Sequence, residues 1–488
     1  MESLLPADKG DEGKEGDSNP LLAIDVTARP MLDEAALERL GIPTSSTDPN
    51  DFIFKKVSDN GANMKAAWTV EDDQWVPCYD HTLELCTLPF TWVEKRKGQE
   101  VAAPKGSIAE SYSKARGVIG YLHHSTIGEY DFHVCQKKVG LEETKMDQDV
   151  KTRWRSSHSM GNQVVYNKPA ILEMDKVHKE PGEAWGKNKL TFLDYDHLEE
   201  GTACLSHAAK ISQLMEGDEY PTSPLVIPMS YRLMQKSAAS ADVYFANRAA
   251  DEGNVEEITP VMVKDADLQT KIREARASYH QRLVDRFDSD VALDVKQFWF
   301  ISTILDPRFK KFEFAGNDML NASRRRDAFK WFVAAYDKNF KHKAYNPADA
   351  PTPQEQATPT EARSSAVPHA KRRTVSSASI FEEDSPGPTD ASPAPEPKTQ
   401  PHEDEVKAYL ALPQIPNKNE WSGLEWWEEN EKYFPNLAVM ARQYLGCPAT
   451  SATVERLFSA VGIFFSKKRR NTKAETLQNL TFAKMNVE

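Results

Sequence analysis

Cysteine is scarce and unpatterned, with five in 488 residues. No Cys-x-x-Cys pair is present to begin a zinc finger, and an odd, scattered set gives no disulfide framework, so reduced thiols in a reducing compartment are expected. No apolar run is long enough to span a bilayer, and the charged, polar N-terminus does not read as a signal peptide. A soluble, intracellular chain without a membrane partner follows. The sequence also lacks internal repeats, a glycine-rich phosphate loop and any evident Ser/His/Asp arrangement, so no small-molecule substrate is expected. Positive charge is short as well: 61 Lys and Arg stand against 74 Asp and Glu, a net charge of −13. Any contact with nucleic acid must therefore be local.

Composition divides what is there. Residues 1–30 open with an acidic, polar stretch that predicts a disordered N-terminus. Residues 346–404 hold 11 of the 30 prolines among Ser, Thr, Ala and Glu, and read as a disordered linker. Within it Lys371-Arg372-Arg373, followed by Thr374, Ser376 and Ser377, has the form of a short nuclear import signal or kinase site, although an inert linker uses the same residues. Between 160 and 345 the pattern is helical, with Leu268, Ile272, Ala275, Tyr279, Leu283 and Phe287 recurring every three or four residues.

The C-terminal block carries the clearest local signals. Pro435 suits a first helical position, and Leu437, Ala438, Ala441, Tyr444 and Leu445 then share a face until Gly446. Ser451 can cap a second helix whose apolar stripe is Val454, Leu457, Phe458 and Val461, with Glu455 beside it. Upstream, Ser422 and Glu425 have capping-box spacing before Trp426-Trp427, a pair whose apolar surface needs a partner. Lys467, Lys468, Arg469, Arg470 and Lys473 form a basic cluster that serves either as a phosphate contact or as a solvated helix end.

Elsewhere Phe52, Phe54 and Val57 predict a short strand ended by the Asp59-Asn60-Gly61 turn, and Met64 to Trp68 begins a helix. A helix over 31–42, capped by Asp33, precedes it. Asp59 is either a hard-oxygen ligand for Mg²⁺ or Mn²⁺ or an ordinary turn residue. Cys78-x-x-His81 has half of a zinc site's spacing, but His123, His124, His133 and Cys135 show no second pair, so no metal is assigned to it. Trp154, between Arg153 and Arg155, is either a stacking platform with phosphate contacts or a buried indole with surface arginines. Asp306-Pro307 predicts a helix start.

Several of these segments resemble hAT-family transposases. PATSATVERLFSAVG, with the later Arg469 and Phe482 to Asn486, is similar to the family's C-terminal dimerisation region. VSDNGANMKAAW with WVPCYDHTLEL resembles its second catalytic block, DVKTRWRSSHSM its TRW segment, and FWFISTILDPRFKKFEF a weaker block. The similarity is close over 405–488 and loose over roughly 35–345. It implies an α/β fold: a partial, N-terminally truncated ribonuclease-H-like core (31–158), a large all-α insertion (159–345), the linker, and a helical dimerisation block (405–488) that returns to complete the core.

The resemblance also implies chemistry. Such a nuclease uses two aspartates and a glutamate to hold two divalent ions, Mg²⁺ or Mn²⁺, for in-line displacement at phosphorus. Asp59 matches the second aspartate and Glu455 the glutamate, both as metal ligands. Asp25, only 34 residues before Asp59, leaves too little chain for the strands that should intervene. Cys78 and His81 belong to the active-site neighbourhood. Trp154 matches an aromatic that stacks on a nucleotide thrown out of the duplex, worth roughly 1–3 kcal/mol, with Arg153, Arg155 and the cluster Lys467, Lys468, Arg469 and Arg470 at DNA phosphates. The family's N-terminal BED-type zinc finger has no counterpart. The expectation is a nuclear, catalytically impaired protein that forms a homodimer or higher oligomer through Leu437, Tyr444, Leu457, Phe458 and Phe464, either in the pairing surface or in the core beneath it, with DNA as a further partner. An active DNA-cutting and strand-joining enzyme and a host-recruited DNA-binding regulator are the alternatives.

Overall fold

The computed structural model describes residues 55–59, 61, 75–91, 95–96, 99–100, 103–150, 153–178, 185–245, 261–315, 320–341, 404–416, 423–464 and 476. The expected segments 1–30, 31–42 and most of 346–404 lie outside them, as do Asp25, Asp33, Phe52, Phe54, Met64 to Trp68, Ser422 and the basic cluster 467–473. The described residues fall within one compact unit, Ile53–Glu488.

Strands β1 (Lys56–Ser58) and β2 (Trp75–Pro77) pair in parallel, with Val57 opposite Val76. Helix α1 (Tyr79–Thr91) follows directly, and β3 (Lys95–Arg96) and β4 (Gln99–Glu100) make a minimal antiparallel pair. Then come α2 (Ile108–His124), α3 (Thr126–Lys138), α4 (Trp154–Tyr166), α5 (Lys168–Val177), α6 (Phe192–Met215) and α7 (Val226–Ser237). Strands β5 (Val243–Phe245) and β6 (Val261–Val263) pair antiparallel before α8 (Thr270–Val284), α9 (Leu293–Leu305) and α10 (Ala322–Asn339). The C-terminal block supplies α11 (Glu405–Ala411), α12 (Gly423–Asn430), α13 (Pro435–Leu445) and α14 (Ala452–Phe464).

The described residues are therefore mostly helical with few, short strands. Only two three-residue strands run in parallel in the described part of 31–158, too little for a sheet that buries a core on its own. Between 159 and 345 the described elements are helices apart from the β5–β6 pair.

Helix α6 is the long central element. Its start is fixed by a capping box in which the Thr191 hydroxyl accepts from the Asp194 N–H while the Asp194 carboxylate accepts from the Thr191 N–H. It packs against α1, α2 and α4. The six-residue stripe read from the sequence is buried throughout, from Leu268 to Phe287, along α8 and a π-helical turn at Asp285–Ser289.

The C-terminal block is built into this body. Its anchor is the segment after α9, where the sequence predicts a helix start at Asp306-Pro307; the structure instead gives turns. Asp306 caps the end of α9, fully buried, and its carboxylate accepts from the Arg308 N–H at 3.0 Å and from the Arg308 guanidinium at 2.9 and 2.6 Å. An Asp-Pro pair is equally at home after a helix, and the local sequence does not tell the two cases apart. Around this turn the Tyr409 hydroxyl donates to the Ile304 carbonyl at 2.7 Å, the Trp427 indole N–H to the Leu305 carbonyl at 2.7 Å, and the Ile415 N–H to the Pro307 carbonyl at 3.0 Å. The partner that Trp426 and Trp427 required is thus internal: both indoles pack against Tyr409, and Trp426 stacks on Phe434. Glu405, buried, reaches across to cap α13 by accepting from the Asn436 and Leu437 N–H groups at 3.2 and 2.8 Å.

Candidate functional site

The chain ends of β1 and β2 meet the C-terminal block at one point. The Cys78 N–H donates to the Ser58 carbonyl at 2.8 Å, and the next residue's N–H, Tyr79, donates to the Ala449 carbonyl at 2.9 Å. The Ser451 N–H donates to the Cys78 sulfur at 3.3 Å. A link over more than three hundred residues thereby seats the first turn of α14 on the first turn of α1. Across this seam His81 Nδ1 lies 3.8 Å from Glu455 Oε1, which also accepts the Ser451 hydroxyl at 3.0 Å.

The seam forms one wall of a cleft of about 1810 Å³. Helix α4 also lines it, with Trp154 and Arg155, and α6 contributes Lys210 and the turn at Glu216. The electrostatics are mixed. The Cys78 side chain raises the His81 pKa to about 9, with burial opposing and Glu455 and Glu84 adding, so the imidazole is charged at neutral pH. Burial, reinforced by Glu216, pushes Asp80 up to about 7, against the pull of Ser212, Arg155 and His81. Burial also raises Glu84. Asp80 is therefore only partly ionised at neutral pH. It sits inside the Cys-x-x-His spacing, where nothing in the sequence distinguishes it from a solvated helix-start aspartate; only its burial against α6 does.

The residues singled out in the sequence separate into two groups. Cys78, His81, Arg153, Trp154 and Glu455 all line the cleft. Trp154 is nevertheless only 6% exposed, edge-to-face with His158 at 6.5 Å, so its ring belongs chiefly to the core and stacking on a base needs a rearrangement. Burial drives the His158 pKa down to about 4, leaving it neutral. Arg153 is exposed at the start of α4, while Arg155 is paired with Glu216 at 2.9 Å. Asp59 is exposed at the end of β1, its carboxylate accepting from the Gly61 N–H at 3.1 Å in the manner of an Asx turn, and it is not among the residues lining the cleft. Among the described residues no three His, Cys, Asp or Glu side chains are grouped to hold a metal ion.

The pairing residues divide in the same way. Leu437 and Tyr444 are core side chains: Leu437 is fully buried, and Tyr444 stacks on Phe298 with ring centroids 5.4 Å apart. They support the block from beneath and do not form its surface. Val454, Leu457 and Phe458 are exposed on α14, at 47%, 37% and 47%. The Phe464 side chain lies outside the described residues.

A Ser/His/Asp grouping that sequence reading missed is present at Ser111, Asp194 and His197, all buried. The Ser111 hydroxyl donates to Asp194 at 2.8 Å and lies 3.0 Å from His197 Nδ1, while Lys114 neutralises the aspartate at 2.9 Å. Its carboxylate orders the start of α6 and holds the hydroxyl rather than orienting the imidazole, and the trio does not line the cleft. Its role is structural.

Among the described residues no helix is long and apolar enough to cross a membrane. No curated protein matches the chain. Residues 405–487 match the family model described as the hAT family C-terminal dimerisation region.

Proposed function

We propose, from the premise that residues 405–487 are an hAT-family dimerisation region, that this is a transposase-derived, catalytically impaired nuclear protein that acts by pairing with a second copy and touches DNA at its cleft. The observation that carries the pairing is the exposed row Val454, Leu457 and Phe458 on α14, inside the matched region. A helix whose apolar face is left in water is a surface awaiting a partner. Among the described residues of the block, Tyr409, Trp426, Trp427, Phe434, Leu437 and Tyr444 are buried, while Leu424 on α12 is also exposed.

Impairment is supported by the carboxylates. Asp59 is exposed in an Asx turn and is not among the residues lining the cleft, whereas Glu455 is. DNA contact is supported by the basic side chains at the cleft, Lys145, Arg153, Arg155, Lys210 and Arg456. The parallel β1–β2 pair, with Asp59 at its end, supports reading 31–158 as a remnant of a ribonuclease-H-like core.

Sedimentation velocity of the full chain at micromolar concentration tests the reading: a dimer or larger species is expected, and a monomer overturns it. The convergence of His81, Trp154 and Glu455 in one cleft favours a second reading, an enzyme that still cuts DNA. Cleavage of transposon-end DNA with Mg²⁺ or Mn²⁺ that is lost in Glu455→Gln would establish it.

A further inference from the structure

We infer that the turn Glu216-Gly217-Asp218-Glu219 is a built-in anion that occupies the cleft's arginines, so that a DNA backbone must displace it to bind. The inference rests on the proposed DNA contact and adds its regulation.

The turn follows the last residue of α6. Glu216 Oε2 is 2.9 Å from Arg155 Nη2 on α4, and Asp218 Oδ2 is 2.7 Å from Arg456 Nη2 on α14. Arg456 Nη1 also donates to the Glu216 carbonyl at 3.1 Å. One short acidic turn thus holds an arginine from each of two helices lining the cleft.

Its position is electrostatically unfavourable by itself. The C-terminal end of a helix carries partial negative charge, which favours Lys or Arg and disfavours three carboxylates within four residues. The two arginines offset that repulsion. The turn is nevertheless firmly shaped. Tyr220 donates its hydroxyl to the Leu214 carbonyl at 2.7 Å, and its ring lies so close over Gly217 that a Cβ there would approach it to 2.5 Å. A glycine at that point is what lets the ring close over the turn.

Both ion pairs are accessible to exchange. The side chains of Arg155 and Arg456 are 39% and 38% exposed, and those of Glu216 and Asp218 29% and 55%. Phosphate oxygens, which take an arginine in the same forked geometry as a carboxylate, are the natural competitor.

Fluorescence anisotropy with a short labelled DNA duplex, using the full chain, tests this. Glu216→Gln/Asp218→Asn is expected to bind roughly threefold to tenfold more tightly than wild type, the range for releasing two partly exposed ion pairs. The dependence of log K on log salt should steepen by about 1 to 2, as one or two more phosphates are neutralised. Glu274→Gln/Asp327→Asn removes the same charge from exposed pairs elsewhere and should leave affinity nearly unchanged. Adding Arg155→Gln to the double variant should cancel much of the gain. Asp218→Asn alone, at the most exposed of the four side chains, gives a smaller gain if the double variant does not fold. Wild type that binds DNA with the same affinity and salt slope as both acidic-turn variants overturns the inference and leaves the DNA contact standing. An absence of binding in every protein overturns both.

Discussion

Lys310 is an amine held in surroundings that disfavour its charge. It is 1% exposed, donates to the Tyr409 carbonyl at 2.8 Å and lies 4.4 Å from the centroid of that tyrosine's ring. Burial, with the neighbouring Lys311 adding, lowers its pKa to about 7. Because the folded value lies below the unfolded one, the native state holds fewer protons between them. The stability from this site is full above the ordinary lysine range, falls as pH drops towards 7, and changes little below that. Lys310→Met removes the titration. In urea melts, the stability of the variant relative to wild type should be greatest at pH 7 and should decline by about 2 kcal/mol by pH 9. A constant difference would show that the ammonium is charged throughout. None of this was legible beforehand, since FKKF gives no sign of which lysine turns inwards.

At the scale of elements, α13 and α14 look alike in sequence and do opposite things. Both show apolar residues at helical spacing, and in α13 that face closes onto α9 while in α14 Val454, Leu457 and Phe458 stand outside. Periodicity reports that a face is apolar; it does not report what meets it. Leu437→Ala should therefore cost about 2–5 kcal/mol of folding stability through lost burial and a cavity. Phe458→Asp should leave the melting temperature nearly unchanged and shift the sedimentation profile towards monomer. A Phe458→Asp protein that unfolds while remaining self-associated would place that ring in the core. Helix existence was readable here because caps and stripes agree over ten or more residues, as with Pro435 at the start of α13 and the buried row from Leu268 to Phe287. The seam at Cys78 was only partly readable: the resemblance joined Cys78, His81 and Glu455, whereas Asp80, Glu216 and Arg456 take their importance from contacts between distant segments.

For the molecule as a whole, the block matched at 405–487 is not an appendage. Its Tyr409 and Trp427 satisfy the carbonyls at the end of α9, Glu405 caps α13 from a separate helix, and Ser451 is hydrogen-bonded to Cys78. Ending the chain after residue 404 removes those groups and uncovers α9, whose side chains from Phe298 to Leu305 are buried. The shortened protein should lose cooperative thermal unfolding in calorimetry and bind hydrophobic dyes. A sharp transition close to that of the full chain would show two bodies that fold separately.

The two adjacent tryptophans give this arrangement a signal of its own. Their rings lie 4.9 Å apart at an interplanar angle of 90°. Indole chromophores at that separation share their excited states, and the Trp427 N–H bonded to the Leu305 carbonyl fixes their mutual orientation. The chain therefore carries an intrinsic optical couplet whose sign and size depend on the tail being seated, readable by circular dichroism without any label.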